Sequence, residues 1–116
     1  MSHDILEFRC EHVSATEAGD GFQVLFETTR DSLEGYVLIQ RHFEFPDGGK
    51  CYLETEVREF CGHFRIHTAE LSRNQFQIAF GEAPMRGIVV RFSAMDSVYA
   101  EVKRVLQVIV PKITIS

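Results

Sequence analysis

GIVVRFSAMDSVYAEVKRVLQVIVP, residues 87–111, changes its hydrophobic period part-way along, and that change decides the fold. Gly87 to Phe92 is a short β-branched run of the kind that forms a strand. From Val98 the apolar residues instead fall at i, i+4, i+7, i+8 and i+11: Val98, Val102, Val105, Leu106 and Ile109. That spacing lines one stripe of a helix, with Glu101, Lys103, Arg104 and Gln107 on the other side. Ser93 reads as the N-cap, with Asp96 three residues on as a shortened capping box, and Pro111 ends the helix. Lys103 and Arg104 lie toward its C-terminal half, where cations suit the helix dipole. Burying the stripe at roughly 1.5–3 kcal/mol per side chain gives on the order of 10 kcal/mol. The valines lower intrinsic propensity, so this helix must be held by the face of a sheet.

Upstream, turn residues punctuate short alternating or β-rich segments at regular intervals, the mark of consecutive strands. Ile5 to Val13 reads as one strand, with Leu6, Phe8 and Cys10 on one face. Phe22 to Thr28 follows, then Gly35 to His42, whose nearly continuous apolar centre suits a strand covered on both sides. Pro46-Asp47-Gly48-Gly49 is a turn, because Pro presets φ and Gly permits a positive one. Cys51 to Val57, His63 to Leu71, Phe76 to Phe80 and Gly87 to Phe92 complete the series. Glu54-Thr55-Glu56 reads as exposed. The expected fold is α+β: an antiparallel sheet of about seven strands in meander order, closed by one C-terminal amphipathic helix. The tail Ile113-Thr114-Ile115 either adds an edge strand or frays.

The chain has 116 residues, the size of a single domain spanning 1–116, and 45% of them are hydrophobic, enough for a core without staples. Its net charge of -5, with no run of Lys or Arg, argues against nucleic acid and against an anionic membrane surface. The beginning lacks the basic-then-apolar pattern of a signal peptide, and no apolar run approaches the ~20 residues that cross a bilayer. Three cysteines, at 10, 51 and 61, fit reduced thiols better than a disulfide framework. The expected location is the cytoplasm.

Cys61, His63 and His67 bring a thiol and two imidazoles within seven residues, and residues 61, 63, 65 and 67 share one face of a strand. No further ligand completes a metal site by spacing, and no orienting group completes a nucleophilic pair. Cys10 and His12 share a face in the same incomplete way. No phosphate-binding or hydrolase motif is present. The expectation is therefore no catalytic residue, no metal and no cofactor. Arg41 is expected to pair with Glu54 or Glu56 across the hairpin.

Leu38-Ile39-Gln40-Arg41, Tyr52 to Glu54, Gly62, and Glu70-Leu71-Ser72-Arg73 with Phe76 and Ile78, followed by a short strand and a helix, resemble the immunity protein 10 family of bacterial polymorphic-toxin systems. The resemblance implies a non-enzymatic protein that binds a cognate toxin and blocks it. Such an inhibitor needs only a complementary surface, typically about 800 Å² per partner. An acidic inhibitor suits a basic toxin such as a nuclease, and Glu54, Glu56 and Glu59 are the expected partner-binding residues. The alternative is a small-ligand or regulatory binding domain of pleckstrin-homology-like architecture.

Overall fold

The computed structural model describes residues 5–28, 35–43, 48–82 and 85–116. Among them the alternating segments become β1 (Ile5–Cys10), β2 (His12–Ala18), β3 (Gly21–Glu27), β4 (Tyr36–His42) and β5 (Lys50–Thr55). A 3-10 turn at Arg58–Phe60 leads to β6 (Gly62–Ser72), β7 (Gln75–Phe80) and β8 (Arg86–Phe92). The helix α1 (Asp96–Ile109) and a short β9 (Thr114–Ile115) end the chain.

The fold is α+β with a single C-terminal helix, as expected, but its sheet is mixed rather than antiparallel. The strand order is β1-β8-β7-β6-β5-β4-β3-β2, with β9 added on β6. The steps from β2 to β8 follow the expected meander, whereas β1 pairs with β8, and β9 with β6, in parallel. The expected strand over Ile5 to Val13 is two strands. They lie at opposite ends of the path β1-β8-β7-β6-β5-β4-β3-β2, although one residue, Glu11, joins them in the chain. Glu11 also changes the phase of the side chains. Leu6, Phe8 and Cys10 face the core at even positions, then Val13 and Ala15 at odd ones. A strand that must serve both extremes of a sheet breaks where its inward face changes parity.

The open sheet bends so that its two halves face each other. On the first half, Phe26 of β3 stacks on Phe76 of β7 at 5.4 Å between ring centroids, and meets Phe92 of β8 at the same distance. Phe60 and Phe64 pack on Phe80. These aromatic contacts account for much of the phenylalanine in the sequence, and the buried apolar residues form a single cluster. The strand β6 belongs to both halves. Gly62 to Arg65 pair with β5, pairing with β7 begins at Ile66, and a bulge between Ile66 and Thr68 falls at this hand-over. Bulges of this kind bend a strand and sharpen its twist. On the edge that β5 leaves, β9 pairs with Glu70 and Leu71, so the tail forms a strand.

The helix lies where its stripe requires. Val102, Val105, Leu106 and Ile109 are buried, and Val98 packs partly against the core. Its start differs from expectation: the N-cap position is Met95, with no side-chain cap, and Ser93 lies outside. Asp96 accepts from Arg73 Nη2 at 2.7 Å, and the same guanidinium donates to the Ala94 carbonyl at 2.8 Å. An arginine from the β6–β7 turn thus ties down the entry to the helix instead of a capping box. The last turn holds no basic residue. Arg104 pairs instead with Glu17 of β2 and with Glu101, each at 2.9 Å. Of the expected turn at 46–49, Pro46 and Asp47 lie outside the described residues, while Gly48 and Gly49 have φ of +64° and +81°. Among the described residues no helix is long and apolar enough to cross a membrane.

Candidate binding surface

Pleating sends alternate residues of the first half-sheet outward, away from the core. On β4 the inward residues Val37 and Ile39 are fully buried, and Tyr36, Leu38 and Gln40 between them are only partly so. The continuous apolar run is therefore not covered on both sides. Its alternation was hidden because Leu38 and Tyr36 face outward with large, partly apolar side chains. Register assembles the outward residues into rows. Gln23, Gln40, Tyr52 and His63 are successive neighbours, and so are Leu25, Leu38 and Glu54.

Glu54 sits among these rings. Tyr36 donates its hydroxyl to Oε2 and Tyr52 donates its own to Oε1, both at 2.8 Å. The carboxylate is thus fixed by two phenols, one from its own strand and one from the neighbouring strand. Burial, and after it the hydrogen bond to Glu54, pushes Tyr36 from its ordinary 10.0 to about 12. Tyr52 is raised too, chiefly by its hydrogen bond to Glu54. The His63 ring tilts against Tyr52 at 5.1 Å. No basic side chain forms an ion pair with Glu54 among the described residues.

The other expected glutamates have different surroundings. Glu56 accepts from the backbone N–H of Gly35 at 2.8 Å and so anchors the start of β4. Gly35 has φ +62°, and an added Cβ would come within 2.5 Å of Thr28 Cγ2, so only glycine fits there. Glu59 is exposed in the 3-10 turn, and Arg86 donates to its backbone carbonyl. Thr55, expected to be exposed, is buried at 4% and exchanges hydrogen bonds with the Val57 backbone.

Arg41 does not pair with Glu54 or Glu56. Its side chain points inward, donates to the Ile109 carbonyl at 3.0 Å and lies over the Phe43 ring. The reason is parity: Arg41 is odd on β4, where odd positions face the core, and Glu54 is on an outward row. At this fork between β5 and β9, Arg41, Arg65 and Lys112 line a cavity of about 280 Å³.

The thiol and imidazoles do not converge. Cys61 donates to the backbone carbonyls of Thr55 and Val57, at 3.2 and 3.4 Å, and accepts from the Thr55 N–H. His63 stands on the outward face, and His67, at the bulge, meets the Gly81 carbonyl. The break at Glu11 likewise separates Cys10, buried at 2%, from His12. Burial pushes the Cys10 thiol up to about 12. Among the described residues no three His, Cys, Asp or Glu side chains gather as metal ligands.

The second half-sheet shows a different outer face. Small residues, among them Thr68, Ala79 and Gly87, leave a trough of about 590 Å³ bordered by Ile5, Met85, Glu70 and Gln77.

No protein-family model, curated protein or solved structure matches the chain at the significance required. The likeness to the immunity protein 10 family therefore rests on the quoted residues alone. Of the residues now at the centre of the surface, sequence reasoning singled out Glu54 and missed Tyr36, Leu38, Leu25, Tyr52 and His63 as companions. The signal that would have found them is cross-strand register, which a single strand does not carry.

Proposed function

We propose that this chain is a protein-binding inhibitor that occludes a basic partner, in the manner of an immunity protein against its cognate toxin. The observation that carries this reading is the outward face of β3, β4 and β5. There Leu25, Leu38 and Glu54 form one row, and Tyr36 and Tyr52 orient the Glu54 carboxylate, which has no ion pair among the described residues. Two of the three tyrosines in the sequence stand on this one face, and tyrosine is enriched at protein interfaces. Its rigid, amphipathic ring buries large area at little entropic cost. Inhibition by occlusion asks for no reacting group, only for such a surface. The net charge of -5 would speed encounter with a basic protein. Of the three glutamates expected to contact the partner, Glu54 lies at the centre of this face, while Glu56 also holds the start of β4.

The test begins at the neighbouring genes, where this reading expects a large toxin; the C-terminal domain of that toxin is the partner to use, and no toxin gene there would count against the reading. Expressing that domain alone should arrest bacterial growth, and coexpressing this chain should restore it. Replacing Leu38 by Asp should abolish protection; the carboxylate opposite Glu54 should lower the melting temperature somewhat, so circular dichroism checks that the variant is still folded at the growth temperature. Growth arrest that persists with the wild-type chain, or protection that survives Leu38→Asp, would count against the reading.

A further inference from the structure

Glu54 is a carboxylate held in one place, and among the described residues no basic side chain forms an ion pair with it. Each of its oxygens accepts one phenolic hydrogen bond at 2.8 Å, which leaves acceptor capacity on both. A partly buried carboxylate of this kind retains an attraction for a cation that bulk water screens only in part. Lys50 and Arg65 stand opposite each other further along this face, beyond Tyr52 and His63, and neither forms an ion pair with Glu54.

The surroundings select the cation. Leu38 is the cross-strand neighbour of Glu54, and Leu25 is the neighbour of Leu38. Together they form an apolar floor on which an aliphatic stem can lie while its charged head reaches the carboxylate. The rings of Tyr36, Tyr52 and His63 offer planar faces beside it. A guanidinium is planar, stacks on aromatic faces and bridges two carboxylate oxygens, whereas an ammonium is a strongly hydrated point charge.

Resting on the reading of this face as the docking surface, we propose that Glu54, Tyr36 and Tyr52 form the seat for one arginine side chain of the basic partner. The two tyrosines orient the carboxylate, Leu38 and Leu25 carry the methylene stem, and the guanidinium supplies the opposite charge. The hydrogen bonds to Glu54 help hold both phenols protonated, so they remain donors that orient the carboxylate.

The experiment is an amide chemical-shift titration of the whole chain with the tripeptide Gly-Arg-Gly, beside its neutral counterpart Gly-citrulline-Gly. The arginine peptide should give saturable shifts at Tyr36, Leu38, Tyr52 and Glu54, and the citrulline peptide should give none. Glu54→Gln, nearly isosteric, should weaken binding at least ten-fold; Glu7→Gln, on the far half-sheet, should not. Replacing both Tyr36 and Tyr52 by Phe keeps the charge but frees it, and should weaken binding several-fold. Non-saturating shifts spread over all acidic residues, or equal binding by Glu54→Gln, would overturn the proposal.

The same variants separate this idea from the function on which it rests. Protection lost in Leu38→Asp but kept in Glu54→Gln would leave the docking face standing and remove the arginine seat. Protection kept in both would remove both. Concentration-dependent self-association that Leu38→Asp abolishes would give the face to a second copy of this chain, and would equally overturn the proposal.

Discussion

The two outward faces of the sheet are built by the same pleat over the same core, and they differ in almost every other respect. On the half made by β2 to β5 and the start of β6, large planar side chains stand in register around Leu25, Leu38 and Glu54. On the half made by β1, β8, β7 and the rest of β6, small residues leave a trough bordered by Ile5 and Met85, exposed at 62% and 54%. The inner faces, by contrast, are alike and meet through Phe26, Phe76 and Phe92. Folding constrains the inner faces, because buried apolar volume must be filled at high density. It leaves the outer faces free, so their difference is where function is to be sought.

The largest effect should come from the shared interior. Replacing Phe26 by Ala removes a ring that touches both halves, and should destabilise the chain by about 3–5 kcal/mol, read as the shift in the urea unfolding midpoint. Both halves should then lose amide protection together. Separate loss would mean that they unfold as separate units and would break the comparison at its root.

The next effect lies on the aromatic face alone. Leu38→Asp should weaken partner binding about thirty-fold or more, measured by calorimetry, while Val89→Asp in the other half should leave it unchanged. A stronger effect from Val89→Asp would exchange the roles of the two faces.

A smaller effect sharpens the description of Glu54. Tyr36 ordinarily loses its proton near 10.0 and here holds it to about 12, through burial first and the Glu54 hydrogen bond second. Folding therefore favours the protonated phenol. That contribution to stability is intact below pH 10 and is lost as pH rises through about 12. Cys10, raised from 9.0 to about 12 by burial, acts in the same direction from pH 9 upward. In Glu54→Gln the tyrosinate absorbance of Tyr36 and Tyr52 should appear at lower pH, though not fully back at the ordinary value, since burial remains. The smallest effect belongs to Arg104→Ala. Its ion pairs with Glu17 and Glu101 are exposed, so the melting temperature should barely move, and added salt should erase the difference.

Much of this was legible in the chain itself. The stripe from Val98 to Ile109 announced a helix with one buried face, because a period near 3.6 has no other use in a small domain. Alternation announced most of the strands, but Ile5 to Val13 reads as one strand, and only the structure shows that the change of parity at Glu11, from Leu6, Phe8 and Cys10 to Val13 and Ala15, marks a break. Glu54 was legible as a charge, but not as a charge clasped by Tyr36 and Tyr52, since those contacts depend on which residues oppose each other.

The sequence by itself determined which side of most segments is apolar, where most of the turns fall and that one helix must dock. Period and composition act locally and need no partner to be read. Only the tertiary structure decided that β1 joins β8 in parallel, that β6 serves both halves with its bulge at the hand-over, and that Arg41 turns inward to the Ile109 carbonyl while Glu54 faces out. Pairing and register are set by contacts between residues far apart in the chain, and strand alternation alone is compatible with many of them.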